Sequence, residues 1–333
     1  MNNVLTGLLV AYISLLSSGC AFAQDLPAST SVEVLAYVHD PDGKPVSGAT
    51  VRLNLPRYGP TEANYAPVEA TVDVKGLAKL RGTAQQDYSL SARCSGYYTT
   101  ESESRSVYLD QPTLEFVSGV QRFDLELRPV KNPVHSIGKF VDGVPIPSGA
   151  ERIGFDLEMG DFVSPFGKGH VPDLVFAFER RVLSEGNESF KATLTFSNPL
   201  DGIVLMRQPR NVGSEFKYPY SAPTQGYAAN REWAIGHRGP SSYALNAADV
   251  QYFYIVRIRS RADEKGNLKY ALYGVIDGDI GFDKASNGSG RGGYVVGFNY
   301  FLNPDWTRNL EFGRHLEELA GTGKLLVAPP PAN

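Results

Sequence analysis

Three groups of residues in this sequence have types and spacings that could do chemistry. Asp156 and Glu158 flank Leu157. On a strand, both carboxyl groups would point to one face roughly 7 Å apart, inside the ~6.5–9.5 Å window of an inverting glycosidase pair. Any strand with acids two apart produces that coincidence, so the two are only a candidate acid and base. Asp277-Gly-Asp279-Ile-Gly-Phe-Asp283 places three carboxylates at odd spacing, as calcium loops do. Gly281 and Phe282 depart from the EF-hand pattern, and a hairpin end with solvated acids explains the run equally well. The third group is an irregular stretch, 207–239, carrying Phe216, Tyr218, Tyr220, Tyr227, Arg231 and Trp233. A loop this long is usually functional or disordered, and its aromatic content speaks against disorder. Flat rings stack on the apolar faces of sugars while Arg side chains bond the hydroxyls, so Tyr218, Tyr220, Tyr227, Arg231 and Trp233 form a candidate glycan site. The plain alternative is that the rings pack the loop onto a sheet.

Other chemistries lack support. Gly288-Ser-Gly290-Arg-Gly-Gly293 matches G-x-G-x-x-G but leads into the strand-like Tyr294–Phe301, with no helix N-terminus to hold phosphate. The five histidines are scattered, without the pairing of a zinc site. There is no G-x-S-x-G elbow to present a nucleophilic serine. No cofactor is therefore expected beyond a candidate calcium ion at Asp277, Asp279 and Asp283. With 32 Lys+Arg against 36 Asp+Glu, the net charge is −4, which argues against a nucleic-acid surface.

The elements that must position these residues read as all-β. The chain of 333 residues has 34 Gly, 22 Pro, 18 Tyr and 17 Phe, a turn-rich and aromatic composition. Strand-like runs at 31–38, 50–55, 68–73, 77–81, 88–93 and 120–127 alternate with turn signals such as Asp40-Pro-Asp-Gly43. Later runs at 152–158, 173–182, 190–196, 202–206, 250–259, 268–276 and 294–302 suggest a second, larger β-sandwich or jelly roll over 151–326. Residues 130–150 are rich in Pro and Gly and read as a linker. Residues 310–319 suggest one short helix, and 327–333 a solvated tail.

In the first part, Val34-x-Ala36-x-Val38, Asp42-Gly-Lys-Pro-Val46-x-Gly48-Ala49-x-Val51, Asp73-x-x-Gly76, Tyr88 and Gly96-Tyr97 resemble a carboxypeptidase regulatory-like domain. The resemblance implies a transthyretin/Ig-like sandwich over 30–129, acting as a spacer or interaction module. It says little about activity.

The first residues read as an export signal. Val4–Leu16 is an uncharged apolar run too short to span a membrane comfortably, followed by Ala21-Phe-Ala23, which suits cleavage after residue 23. Leu16-Ser-Ser-Gly-Cys20 resembles a lipobox, which would make Cys20 a lipidation site and the only membrane attachment. Removal or lipidation of Cys20 leaves Cys94 alone, so no intrachain disulfide is expected. The sequence thus suggests an exported bacterial envelope protein, periplasmic, at the outer membrane or surface, or secreted. Its partners would be a polysaccharide or glycan, or envelope proteins. A polysaccharide hydrolase and a purely structural surface protein are the alternatives.

Overall fold

A computed structural model describes residues 30–58, 63–65, 67–85, 87–107, 119–147, 151–184, 187–208, 213–238, 241–244, 252–284, 293–312, 327 and 329–331. The expected signal segment with Cys20, all of the Gly288–Gly293 turn but Gly293, and most of the 310–319 helix lie outside them. The described residues are all-β, with no helix among them.

In the first half the sequence alternation translates directly into burial. Val32, Val34, Ala36 and Val38 of the Thr30–His39 strand face inward while the residues between them stay more exposed. That strand pairs parallel with Val120–Glu126 and antiparallel with Leu77–Ala84. A second sheet runs Val68–Thr71, Thr50–Asn54, Asp87–Arg93 and Thr100–Glu101. Between the sheets lies one core containing Val51, Leu53, Leu90, Tyr88 and Leu125. The Asp40–Lys44 turn depends on Gly43, whose φ of 78° is a left-handed backbone that other residues adopt at a cost.

The second half is a larger sandwich. Its five-stranded antiparallel sheet runs Ile137–Pro145, Tyr294–Asn303, Leu268–Lys284, Tyr252–Ala262 and Gly202–Arg207. The facing six-stranded sheet runs Asp161–Phe162, Arg152–Asp156, Leu174–Ser184, Asn187–Thr195, Asn230–Arg238 and Ser241–Ala244. The inner core interdigitates Phe155, Phe176, Phe190, Trp233, Tyr254, Phe298 and Tyr300. The five-stranded sheet is covered on its outer face too. There Phe253, Ile255, Tyr273 and Val275 lie beneath Phe216, Tyr218 and Ala222 of the 213–227 segment, together with Leu310 and Phe312.

Two expectations need correction. Ile137–Pro145, inside the expected linker, is an edge strand of the five-stranded sheet. Its Gly138, Gly143 and Pro145 mimic a loop, and an edge strand tolerates them because it leaves some N–H groups unpaired. Asn230–Arg238, inside the expected long loop, is a nine-residue strand. Within the expected tail, Val327 N donates to Glu158 Oε1 at 3.0 Å, whereas 329–331 are exposed.

The halves meet through a dense junction. Gly213 O accepts from Glu101 N at 2.9 Å, and Glu215 N donates to Thr99 O at 2.9 Å. Arg128 Nη1 donates to Phe216 O and Tyr218 O at 2.9 and 2.7 Å, with its guanidinium 4.6 Å from the Phe216 ring centroid. Buried Glu311 accepts from Lys131 N and Asn132 N at 2.7 Å each, and from Tyr98 OH at 3.1 Å.

Candidate functional site

The five candidate glycan residues do not form one platform. Tyr218 is buried on the outer face, its ring 5.1 Å from Phe253 and 6.2 Å from Phe301. Tyr220 donates its hydroxyl to Pro129 O at 2.6 Å and lies under Lys131 at 4.0 Å. Tyr227 sits beneath Arg257 at 4.3 Å. Trp233 is buried in the inner core, and Arg231 lies beside it on the same strand. The five-stranded sheet therefore separates the first three from the last two. Hydrophobic burial explains why: rings crossing a sheet face remove large apolar areas from water by packing down.

The three acids do not converge either, and no group of three metal-ligating side chains occurs among the described residues. All three sit on the Leu268–Lys284 strand, which has a register shift between Asp277 and Gly281. Asp277 pairs with Lys217 at 2.9 Å, and exposed Asp283 accepts from Lys284 N. Asp279 goes elsewhere and does something the spacing alone did not indicate.

Asp279 reaches Trp233, joining two groups that are far apart in sequence. Its Oδ1 accepts from Trp233 Nε1 at 2.7 Å, Tyr254 OH at 3.0 Å and Ile280 N at 2.9 Å. Its Oδ2 accepts from Tyr252 OH at 2.6 Å. Arg231 lies 5.7 Å from the Tyr254 ring and 5.9 Å from the Trp233 ring, and its buried Nε has no acceptor among the described residues. Burial, then the Asp279 carboxylate, pushes the Tyr252 phenol up to about 12. Tyr254 is raised further for the same two reasons. Both phenols therefore stay protonated at neutral pH and donate. Trp233 and Tyr254 are buried, while Tyr252 and Arg231 are half-buried. Asp279 itself is exposed, so the carboxylate, one ring and one guanidinium reach the surface.

The Asp156–Glu158 pair is organised around a different residue. The strand ends at Asp156, and Glu158 lies in the following turn, so the shared strand face does not exist. Both acids bind Arg259: Nη2 to Asp156 Oδ1 at 3.1 Å and Nη1 to Glu158 Oε2 at 2.7 Å. Arg259 also grips Asp173 through Nε and Nη2 at 2.8 and 2.9 Å. Burial pushes Asp156 up, but the N–H groups of His170, Val171 and Met159, with Arg259, outweigh it and hold the carboxyl low. A general acid needs the opposite shift. Asp173, fully buried, is the one pushed up, to about 6, by desolvation against the pull of Arg259. Neither Arg259 nor Asp173 stood out in the sequence, because a lone Arg on a strand and a lone Asp before one carry no spacing signal.

The fold and this site define an all-β protein of two packed sandwiches with an aromatic–acid cluster at one edge. No family model matches the chain, and no curated protein matches it. Among solved structures it is similar to 3-chlorocatechol 1,2-dioxygenase from Rhodococcus opacus 1CP, with 13% identity and a TM-score of 0.24. That match covers 32% of this chain and 63% of the dioxygenase, short of two thirds of its length. It is also similar to a candidate carbohydrate-binding protein from Bacteroides uniformis, with 10% identity and a TM-score of 0.19, covering 80% of this chain and 95% of that one. A shaft pilin from Lactobacillus rhamnosus GG shows 11% identity and a TM-score of 0.21, covering 77% and 91%. Likenesses at this level assign no activity.

Proposed function

We propose that this is an exported, non-catalytic envelope protein whose larger sandwich binds a hydroxyl-rich ligand, a glycan, at the Asp279 cluster. The observation that carries the reading is the half-buried Tyr252 and Arg231 beside an Asp279 already fixed by buried donors. Tyr252 offers a ring face, the half-buried Arg231 guanidinium offers donors, and Asp279 offers an acceptor whose position needs no further ordering. Preorganised polar groups around an aromatic face are what a sugar site requires. The first half, as a carboxypeptidase regulatory-like module, would be a spacer held at a fixed angle by the Glu311 and Arg128 contacts. A purely structural role is the second reading, and the density of that junction favours it. Hydrolysis by Asp156 and Glu158 finds no support, because Arg259 occupies both carboxylates.

The test is binding of the chain from Gln24 onward to a broad polysaccharide panel, with and without calcium, assaying the same wells for released sugar. A hit that is lost in Arg231→Ala and Tyr252→Ala, without sugar release, supports the reading. Release would revive the hydrolase, and a blank panel would leave the structural reading.

A further inference from the structure

The segment covering the outer face holds a cluster that the proposed site does not use. Lys217 Nζ lies 2.9 Å from Asp277 Oδ1 and 3.2 Å from Oδ2. Asp277 is the register partner of Asn299 on the neighbouring antiparallel strand. Directly opposed residues leave a sheet on the same face, with Cβ atoms about 4.5–5.5 Å apart. Two residues along each strand, on that same face, are Val275 and Phe301, both part of the outer apolar cluster. The buried Tyr218 ring packs on Phe301 next to Lys217 and walls the cluster on that side. Asn299 Oδ1 is itself buried and has no hydrogen-bond donor among the described residues. An amine, a carboxylate in contact with it and a carboxamide whose oxygen has no donor among the described residues thus share one corner of the sheet.

We infer that Lys217 and Asn299 are joined by an intramolecular isopeptide bond, with Asp277 moving the protons. Asp277 takes a proton from the Lys217 ammonium, and the freed amine attacks Cγ of Asn299. As the tetrahedral centre collapses, the Lys217 nitrogen sheds its second proton to solvent and the bond from Cγ to the amide nitrogen breaks. Asp277 returns its proton to that nitrogen, and ammonia leaves, to be protonated in solution. One ammonium side chain and one carboxamide become one secondary amide and one ammonium ion, so no oxidant, metal or activating co-reactant is needed. Carboxamides resist amines in water. Here the fold removes the encounter step, and well-oriented intramolecular pairs reach effective molarities of about 10⁵–10⁸ M. The product would fasten the 213–227 cover to the Tyr294–Asn303 strand covalently.

This inference rests on the outer-face cluster alone and stands or falls independently of the glycan site. It is tested by peptide mapping of the full chain with mass spectrometry. Intact mass is not enough, because cyclisation of an N-terminal Gln24 also releases ammonia. The wild type is expected to yield a branched peptide containing Lys217 and Asn299, lighter than its two parts by one ammonia and uncleaved by trypsin at Lys217. Lys217→Arg and Asp277→Ala should yield only the separate linear peptides. Wild-type peptides with a free Lys217 amine and an intact Asn299 would overturn the inference and leave an ordinary ion pair. A branch between Lys217 and Asp277, with loss of water, would overturn the role given to Asn299. Both of these results are read from the wild-type chain and do not depend on the variants folding.

Discussion

Replacing Arg259 by Met is the sharpest perturbation available, because one side chain bonds three acids. Met keeps a Cβ, so the strain of the left-handed backbone at Arg259 (φ 51°) is unchanged and only the charge is removed. Asp156 loses least, since Glu158 N, Met159 N, His170 N and Val171 N still donate to it. Glu158 is half-buried and can turn toward water. Asp173 loses most: its side chain is 0% exposed, and only the Leu157 N–H at 2.9 Å remains. Breaking a buried pair by removing one partner costs about 3–5 kcal/mol. At about 2–4 °C per kcal/mol for a unit of this size, Tm should fall by about 6–20 °C. The assay is thermal unfolding followed by near-UV circular dichroism at pH 7. Adding Asp173→Asn should recover part of the loss, because the stranded charge is gone. A melting point for Arg259→Met indistinguishable from the wild type would refute the reasoning. So would a double variant that is merely the sum of its singles.

Three further outcomes follow from the same geometry. Asp173 sits above its ordinary value of 3.8, at about 6, so between those pH values the folded chain holds a proton that the unfolded chain has released. Its contribution to stability therefore falls as pH rises through that window. Asp173→Asn should flatten that part of a urea-unfolding profile against pH. In Gly213→Ala the new Cβ would lie 1.6 Å from Glu101 O, so the junction must open. Hydrogen exchange at Glu101 N should accelerate, with a stability loss of about 1–3 kcal/mol. Asp279→Ala leaves the Trp233 indole and the Tyr254 hydroxyl buried without their acceptor, at about 1–3 kcal/mol for each unsatisfied group. Trp233 fluorescence should change, and unfolding should come at lower urea.

Much of the fold was legible because alternation is a direct record of which face is wet. Ser31–Val38 and Tyr294–Leu302 read as strands for that reason, and both form them with inward-facing Val, Ala and aromatic side chains. Asn230–Arg238 was illegible because its inward face carries a charge, Arg231, beside Trp233, so polarity did not track orientation. Ile137–Pro145 was hidden by Gly138, Gly143 and Pro145, which an edge strand tolerates. The candidate site was half legible. Arg231, Trp233 and Asp279 each stood out by type, yet nothing in their separations announces that Asp279 would reach the indole. That contact depends on two sheets facing each other and on the register shift after Asp277. Arg259 is the same kind of case: the three acids it gathers come from two segments distant from it in sequence.

The most direct test of the central claim uses the two tryptophans as local reporters. Trp233 donates its indole N–H to Asp279, whereas Trp306 lies against Tyr270, 5.5 Å between ring centroids. With only two Trp residues in the chain, an ¹⁵N-labelled sample gives two indole signals, assigned by Trp306→Phe. Titration with the best-binding glycan of the panel should shift the Trp233 signal in a saturable way and leave Trp306 in place. Binding that moves only Trp306, or neither indole, would contradict a ligand site at Asp279.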